Sequence, residues 1–146
     1  MTETKTTRTR SRSRTAKTKE EPAVQAVEGK ELDIQRWAIS EYELDDVPGG
    51  ETPTRDILLK ALKKEVKLKD DAEMDWTKCP EVFFGSPVNH VKFVQGLLFL
   101  KGRSNIPFDG IFTPTIRGAV ENWQITHKFS VIDGIAGPVT FESLFA

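Results

Sequence analysis

The chain is poor in the residues from which catalytic and secreted architectures are usually built. Among its 146 residues there is one cysteine, Cys79, so an intramolecular disulfide framework is excluded and nothing points to an oxidising compartment. The two histidines, His90 and His127, form no zinc-ligand motif with Cys79. Thr77-Lys78-Cys79-Pro80 gives that thiol no recognisable catalytic setting. No phosphate-binding or dinucleotide-binding glycine loop occurs, so no cofactor is expected. No apolar run approaches the ~18 residues of a membrane span. The basic N-terminal stretch is not followed by the apolar segment of a secretory signal, and synthesis in the cytoplasm with no membrane partner is the expectation. These absences together lead to the expectation of a non-catalytic protein, and its helix-start signals point to a mainly α-helical one.

What is present is unevenly distributed. Residues 1–19 hold seven basic side chains against the single acid Glu3, although the whole chain has a formal net charge of −1. Acidic residues gather between Glu20 and Glu81, and the region from Ser86 onward is nearly balanced. Three segments follow: a basic tail over 1–29, an acidic linker or docking segment over 30–85, and a helical domain over 86–146. The tail offers no core residue of any size before Val24, so it is expected to be disordered when free. Its regularly spaced arginines suit nucleic acid or another polyanion, yet no aromatic is interleaved for base stacking, and a solubilising or partner-docking tail is the better fit.

The middle segment is the least legible. Leu32, Ile34, Trp37, Ile39, Tyr42 and Leu44 fit neither period 2 nor a helical period cleanly. Val47-Pro48-Gly49-Gly50 is a break. A helix is predicted near 53–68, opened by Thr52-Pro53 or Thr54, with Ile57, Leu58, Ala61, Leu62 and Val66 as its apolar stripe. Residues 70–85 carry Met74, Trp76, Cys79, Val82, Phe83 and Phe84 without rhythm, as an apolar strap against the helices or a contact for a protein partner.

The C-terminal region repeats itself. Asp109-Gly110-Ile111-Phe112-Thr113-Pro114 is echoed by Asp133-Gly134-Ile135-Ala136-Gly137-Pro138. In each copy Asp-Gly supplies a tight turn, an apolar residue is expected to dip into a core, and Thr113 or Gly137 caps a helix opened by Pro114 or Pro138. A first helix is predicted from Val88 to about Lys101, capped by Ser86-Pro87 and ended by Gly102. The predicted core is Val91, Val94, Leu98, Ile111, Phe112, Ala119, Val120, Trp123, Ile132, Ile135 and Leu144. Phe93, Leu97 and Leu100 fall on another side of the first helix and offer a seat for the middle segment.

These phrases resemble the small three-helix peptidoglycan-binding domain of bacterial and phage cell-wall proteins. The resemblance runs from Val88 to the C-terminus. It rests on Val91, Val94 and Gln95, then Asp109, Gly110, Phe112, Arg117, Ala119, Val120, Trp123 and Gln124, then Asp133, Gly134, Ile135, Gly137 and Thr140. Thr113 stands where that family usually has glycine, and Ile116 where it usually has threonine. The resemblance implies a three-helix bundle that contacts glycan and stem peptide. Its receptor groups are expected to be amide donors and cations, namely Gln95, Arg103, Asn105, Arg117, Asn122, Gln124 and Lys128. Gln95 and Gln124 alternatively satisfy loop backbone groups, and Trp123 is either core or a sugar platform. The expected setting is a virion, phage tail or baseplate, or a contractile injection machine, with residues 30–85 meeting a protein partner. A structural adaptor built on the same fold is the alternative.

Overall fold

The computed structural model describes residues 29–45 and 52–146. The expected disorder of the basic tail, its nucleic-acid reading and the Val47–Gly50 break therefore lie outside the described residues. The described part is mainly helical: α1 (Gly29–Tyr42), α2 (Thr54–Glu65), α3 (Val88–Leu100), α4 (Pro114–Thr126) and α5 (Pro138–Phe145), with a 3-10 turn at Trp76–Lys78. The first helix begins at Gly29, inside the stretch assigned to the tail.

The ambiguous stretch after Gly29 is helical because Gln35 sits within its buried face beside Ile34 and Ala38. A polar residue at a core position is what blurs the period. Gln35 donates through Nε2 to Thr54 Oγ1 at 2.8 Å, and Thr54 donates in turn to Glu31 at 2.6 Å. This chain locks the start of α2 to α1 with its polar groups paired.

The described residues of the middle segment pack into the core of the C-terminal region, as a docking segment would. Ile34, Ala38, Ile57, Leu58, Ala61, Leu62, Cys79 and Val82 are buried in the same apolar cluster as Val91, Val94, Leu98 and Leu144. Burying one Ile or Leu side chain contributes about 1.5–3 kcal/mol, so these residues are structural. The seat foreseen on α3 is filled: Trp37 meets Phe93 edge-on at 5.2 Å and Phe108 at 5.5 Å. Gly96 marks the closest approach, where an added Cβ would lie 3.3 Å from Ile34 and 3.5 Å from Leu58. The last helix depends on the middle as well. Trp76 packs on Phe145 at 5.5 Å, and Arg55 donates to the Phe145 carbonyl at 2.6 Å. The structure thus distributes one core over both segments.

Several local expectations need correction. Ser86 does not cap α3; its hydroxyl accepts from the Phe83 N–H at 2.9 Å, and Pro87 is the capping residue without a side-chain bond. Of the two starts offered for α2, the helix opens at Thr54, with Pro53 as the residue before it. Ile111 is 58% exposed and Ile132 48% exposed, so neither belongs to the core. Ile135 and Trp123 are only partly buried. The first-corner residue that enters the core is Phe112, whose counterpart at the second corner is the fully buried Ala136.

Candidate functional site

The two Asp-Gly corners are held by the same hydrogen bonds. At the first, Gln95 Oε1 accepts from the backbone of Asp109 and Gly110 at 3.1 and 2.8 Å. Its Nε2 donates to Asp109 Oδ1 at 2.8 Å and to the Ile111 carbonyl at 3.3 Å. At the second, Gln124 Oε1 accepts from Asp133 and Gly134, both at 3.1 Å. Its Nε2 donates to Asp133 Oδ1 at 3.2 Å, to the Ile135 carbonyl at 3.1 Å and to Thr140 Oγ1 at 3.4 Å. Each aspartate also accepts from the N–H two residues on, at 3.0 Å. Gly110 and Gly134 have positive φ, as the turns require. Both glutamines are buried, and their amides hold the loop backbone and the side chains of the corner.

A strap connects the corners. The Val82 N–H donates to the Ala136 carbonyl at 2.9 Å, and the Ala136 N–H returns a bond at 3.0 Å, an isolated antiparallel bridge. Two residues later Phe84 meets Phe112 edge-on at 5.3 Å. The strap therefore runs from the second corner to the first, and it presents Glu81 beside the start of α5.

Grooves flank the second corner on both sides. One, with a volume of about 270 Å³, is lined by Glu81, Gln124, Phe129, Ser130, Val131, Asp133, Ile135, Gly137, Pro138, Val139 and Thr140. The other, of about 210 Å³, is lined by Phe83, Phe84, Phe112, Arg117, Asp133, Gly134 and Ile135. The apolar rim is open: Phe83 and Phe84 are 47% and 46% exposed, and Val139 is 65% exposed. A further recess of about 270 Å³ lies between Glu31, Thr54, Arg55, Leu97, Lys101 and Leu144, away from both corners.

The sequence-predicted receptor residues are not gathered in one place. Arg117 and Gln124 reach the second corner. Arg117 is engaged with Glu121 at 3.2 Å, and its stem lies against Gly134. Arg103 and Asn105 belong to the loop after α3, whose Ser104 and Ile106 carbonyls accept from Lys30 at the start of α1. Asn122 is exposed and accepts from Thr126 at 3.2 Å. Lys128 follows the end of α4 with φ of 59° and does not line a groove. Trp123 is no open platform: His127 stacks on it at 3.8 Å, the Lys101 ammonium sits over its ring at 5.8 Å, and its Nε1 donates to Ser143 at 3.0 Å. Sequence reasoning missed Glu81, Phe129, Ser130, Val131 and Val139. Only the acid of Pro80-Glu81-Val82, set in an otherwise apolar strap, signalled any of them.

Groups with catalytic potential are dispersed or occupied. His90 pairs with Glu65 at 3.2 Å, and Tyr42 donates to the same carboxylate at 2.6 Å. Burial, and then the Glu65 bond and charge, push the Tyr42 phenol well above its ordinary value. Burial, with a smaller push from the Asp75 charge, raises the Cys79 thiol to about 12, which keeps it unreactive near neutrality. Among the described residues no three His, Cys, Asp or Glu side chains stand close enough to hold a metal ion. None of the described helices is long and apolar enough to cross a membrane. Comparison with family models, curated proteins and solved structures gave no match.

Proposed function

We propose that this is a non-catalytic peptidoglycan-binding protein whose receptor surface is the groove over the second Asp-Gly corner, working within a phage particle or contractile injection machine. The observation that carries the reading is the groove itself. Phe129, Val131, Ile135 and Val139 give it apolar lining, while Glu81, Ser130 and Asp133 supply polar groups. A concave apolar site with a few convergent polar groups is what a small ligand requires, and about 270 Å³ suits a short element of glycan or stem peptide. The buried glutamine at the corner fixes the loop in advance, which limits the ordering cost of binding.

The test is co-sedimentation of the whole chain with purified sacculi at low and moderate salt, beside Val139→Asn. Val139 is exposed, so the variant keeps its fold while the groove loses an apolar wall. Binding that survives moderate salt and weakens severalfold in the variant supports the reading. A folded chain that stays in the supernatant sinks it.

The second reading, a structural adaptor, is favoured by one observation. Phe83, Phe84, Val131, Ile132 and Val139 are all about half exposed or more, an apolar surface suited to a protein partner. Polyanion binding through residues 1–19 rests on charge alone and is checked by the salt dependence of binding after their removal.

A further inference from the structure

The receptor groups expected from sequence are amide donors together with the cations Arg103, Arg117 and Lys128, but the groove carries the opposite sign. Neither Lys, Arg nor His lines it, whereas Glu81 and Asp133 both do. Asp133 uses Oδ1 to hold the corner. Glu81 is exposed and makes no hydrogen bond or ion pair with any described residue. Its position is explained by α5, whose cap Gly137 offers no side-chain bond. Glu81 Oε2 lies 3.9 Å from where a Cβ on Gly137 would stand, so this carboxylate already supplies the negative charge that a helix start favours. An anionic ligand is repelled there; a cation beside an apolar group is accepted.

We propose that the groove takes the free primary ammonium of a peptidoglycan stem peptide, held by Glu81 and Asp133, with the adjoining aliphatic chain against Ile135 and Val139. This deepens the wall-binding reading and rests on it. The occupant follows from charge complementarity: an unpaired carboxylate at an apolar groove with no cation in its lining. A charge-assisted bond of this kind contributes more than a neutral one. Selectivity follows from it, since a stem peptide whose amine is consumed in a cross-link offers an amide and no charge. The groove therefore reads uncross-linked wall.

The experiment uses the whole chain and sacculi whose free amines have been acetylated, next to untreated sacculi, at moderate salt. Acetylation turns each ammonium into a neutral amide and leaves the glycan intact. The expected result is about tenfold weaker sedimentation with acetylated sacculi, the scale set by losing one charge-assisted contact. Glu81→Gln should show the same loss on untreated sacculi and no further loss on acetylated ones. Its urea midpoint reports separately whether α5 has been disturbed. Equal binding to both kinds of sacculi overturns the proposal while leaving wall binding in place. An equal loss for Glu81→Gln on both kinds also overturns it, and makes Glu81 a helix-start residue only. Absence of binding to either overturns the wall-binding reading and this inference together.

Discussion

The first and second corners share a turn, a buried glutamine and a helix start, yet they face different neighbours. At the first, Phe112 fills the space beneath the loop and is covered by Phe84, while Val88 presses against Gly110. At the second, Ala136 is small enough for the strap to come in as a bridge at Val82, and the stem of Arg117 lies against Gly134. One corner is closed by a large side chain, the other by backbone. The small residue brings the strap's Glu81 to the start of α5, and that produces the groove. The same hydrogen-bonded loop thus serves as packing in one place and as a groove wall in the other.

The largest expected effect tests the closed corner. Phe112→Ala should cost about 3–5 kcal/mol, because a buried aromatic leaves a cavity that the hydrogen-bonded loop cannot collapse into. Urea unfolding measures it, and a cost below about 1 kcal/mol would show that Phe84 re-closes the corner. Gln95→Leu and Gln124→Leu test whether the corners are equally held. Each strands two backbone N–H groups, so each should cost about 3 kcal/mol by the same measurement. A large difference between them would mean that Thr140, which has the apolar Ile116 as its first-corner counterpart, matters more than the shared bonds.

The glycines separate the corners next. Alanine is strained at either positive φ. At Gly110 the new Cβ would also meet Val88, including its carbonyl oxygen at 3.1 Å, which cannot rotate away. At Gly134 it would meet the flexible Arg117 stem at 2.7 Å, which can. Gly110→Ala should therefore cost about 3 kcal/mol and Gly134→Ala about 1–2, read from their urea midpoints.

The smallest effect is electrostatic. The Gln95 amide first, and then the Ile111 N–H, hold the Asp109 carboxyl below its ordinary value. A depressed folded value contributes stability that is present above the unfolded value near pH 4 and is lost as pH falls through the folded one. Asp109 is exposed, so screening keeps the contribution below about 1 kcal/mol. Asp109→Asn should flatten the acid limb of stability below about pH 4 in urea titrations. An unchanged limb would show that the turn does not need the charge.

Much of the helical architecture was legible because it is local. Helix starts, Asp-Gly turns and the apolar stripe of α2 depend on residues close in sequence, and alternatives for Gln95 and Gln124 included the loop-holding role they have. The fate of Ile111 and Ile132 was not legible. Which apolar residue of a turn enters the core depends on what lies beneath, and at these corners Phe112 and Ala136 take that place. The helix at Gly29–Tyr42 was hidden by Gln35, a polar residue whose burial makes sense only once Thr54 stands opposite it.

The sequence by itself determined the helical class, the doubled corner and the uneven charge, since each follows from short-range sterics, capping and composition. Only the tertiary structure decided that α1, α2 and the strap complete the core, that the predicted cations are scattered, and that Glu81 faces the second corner. Those outcomes depend on which distant surfaces meet, and long-range packing of α1, α2 and the strap on α3 and α5 is a property of the whole chain's shape.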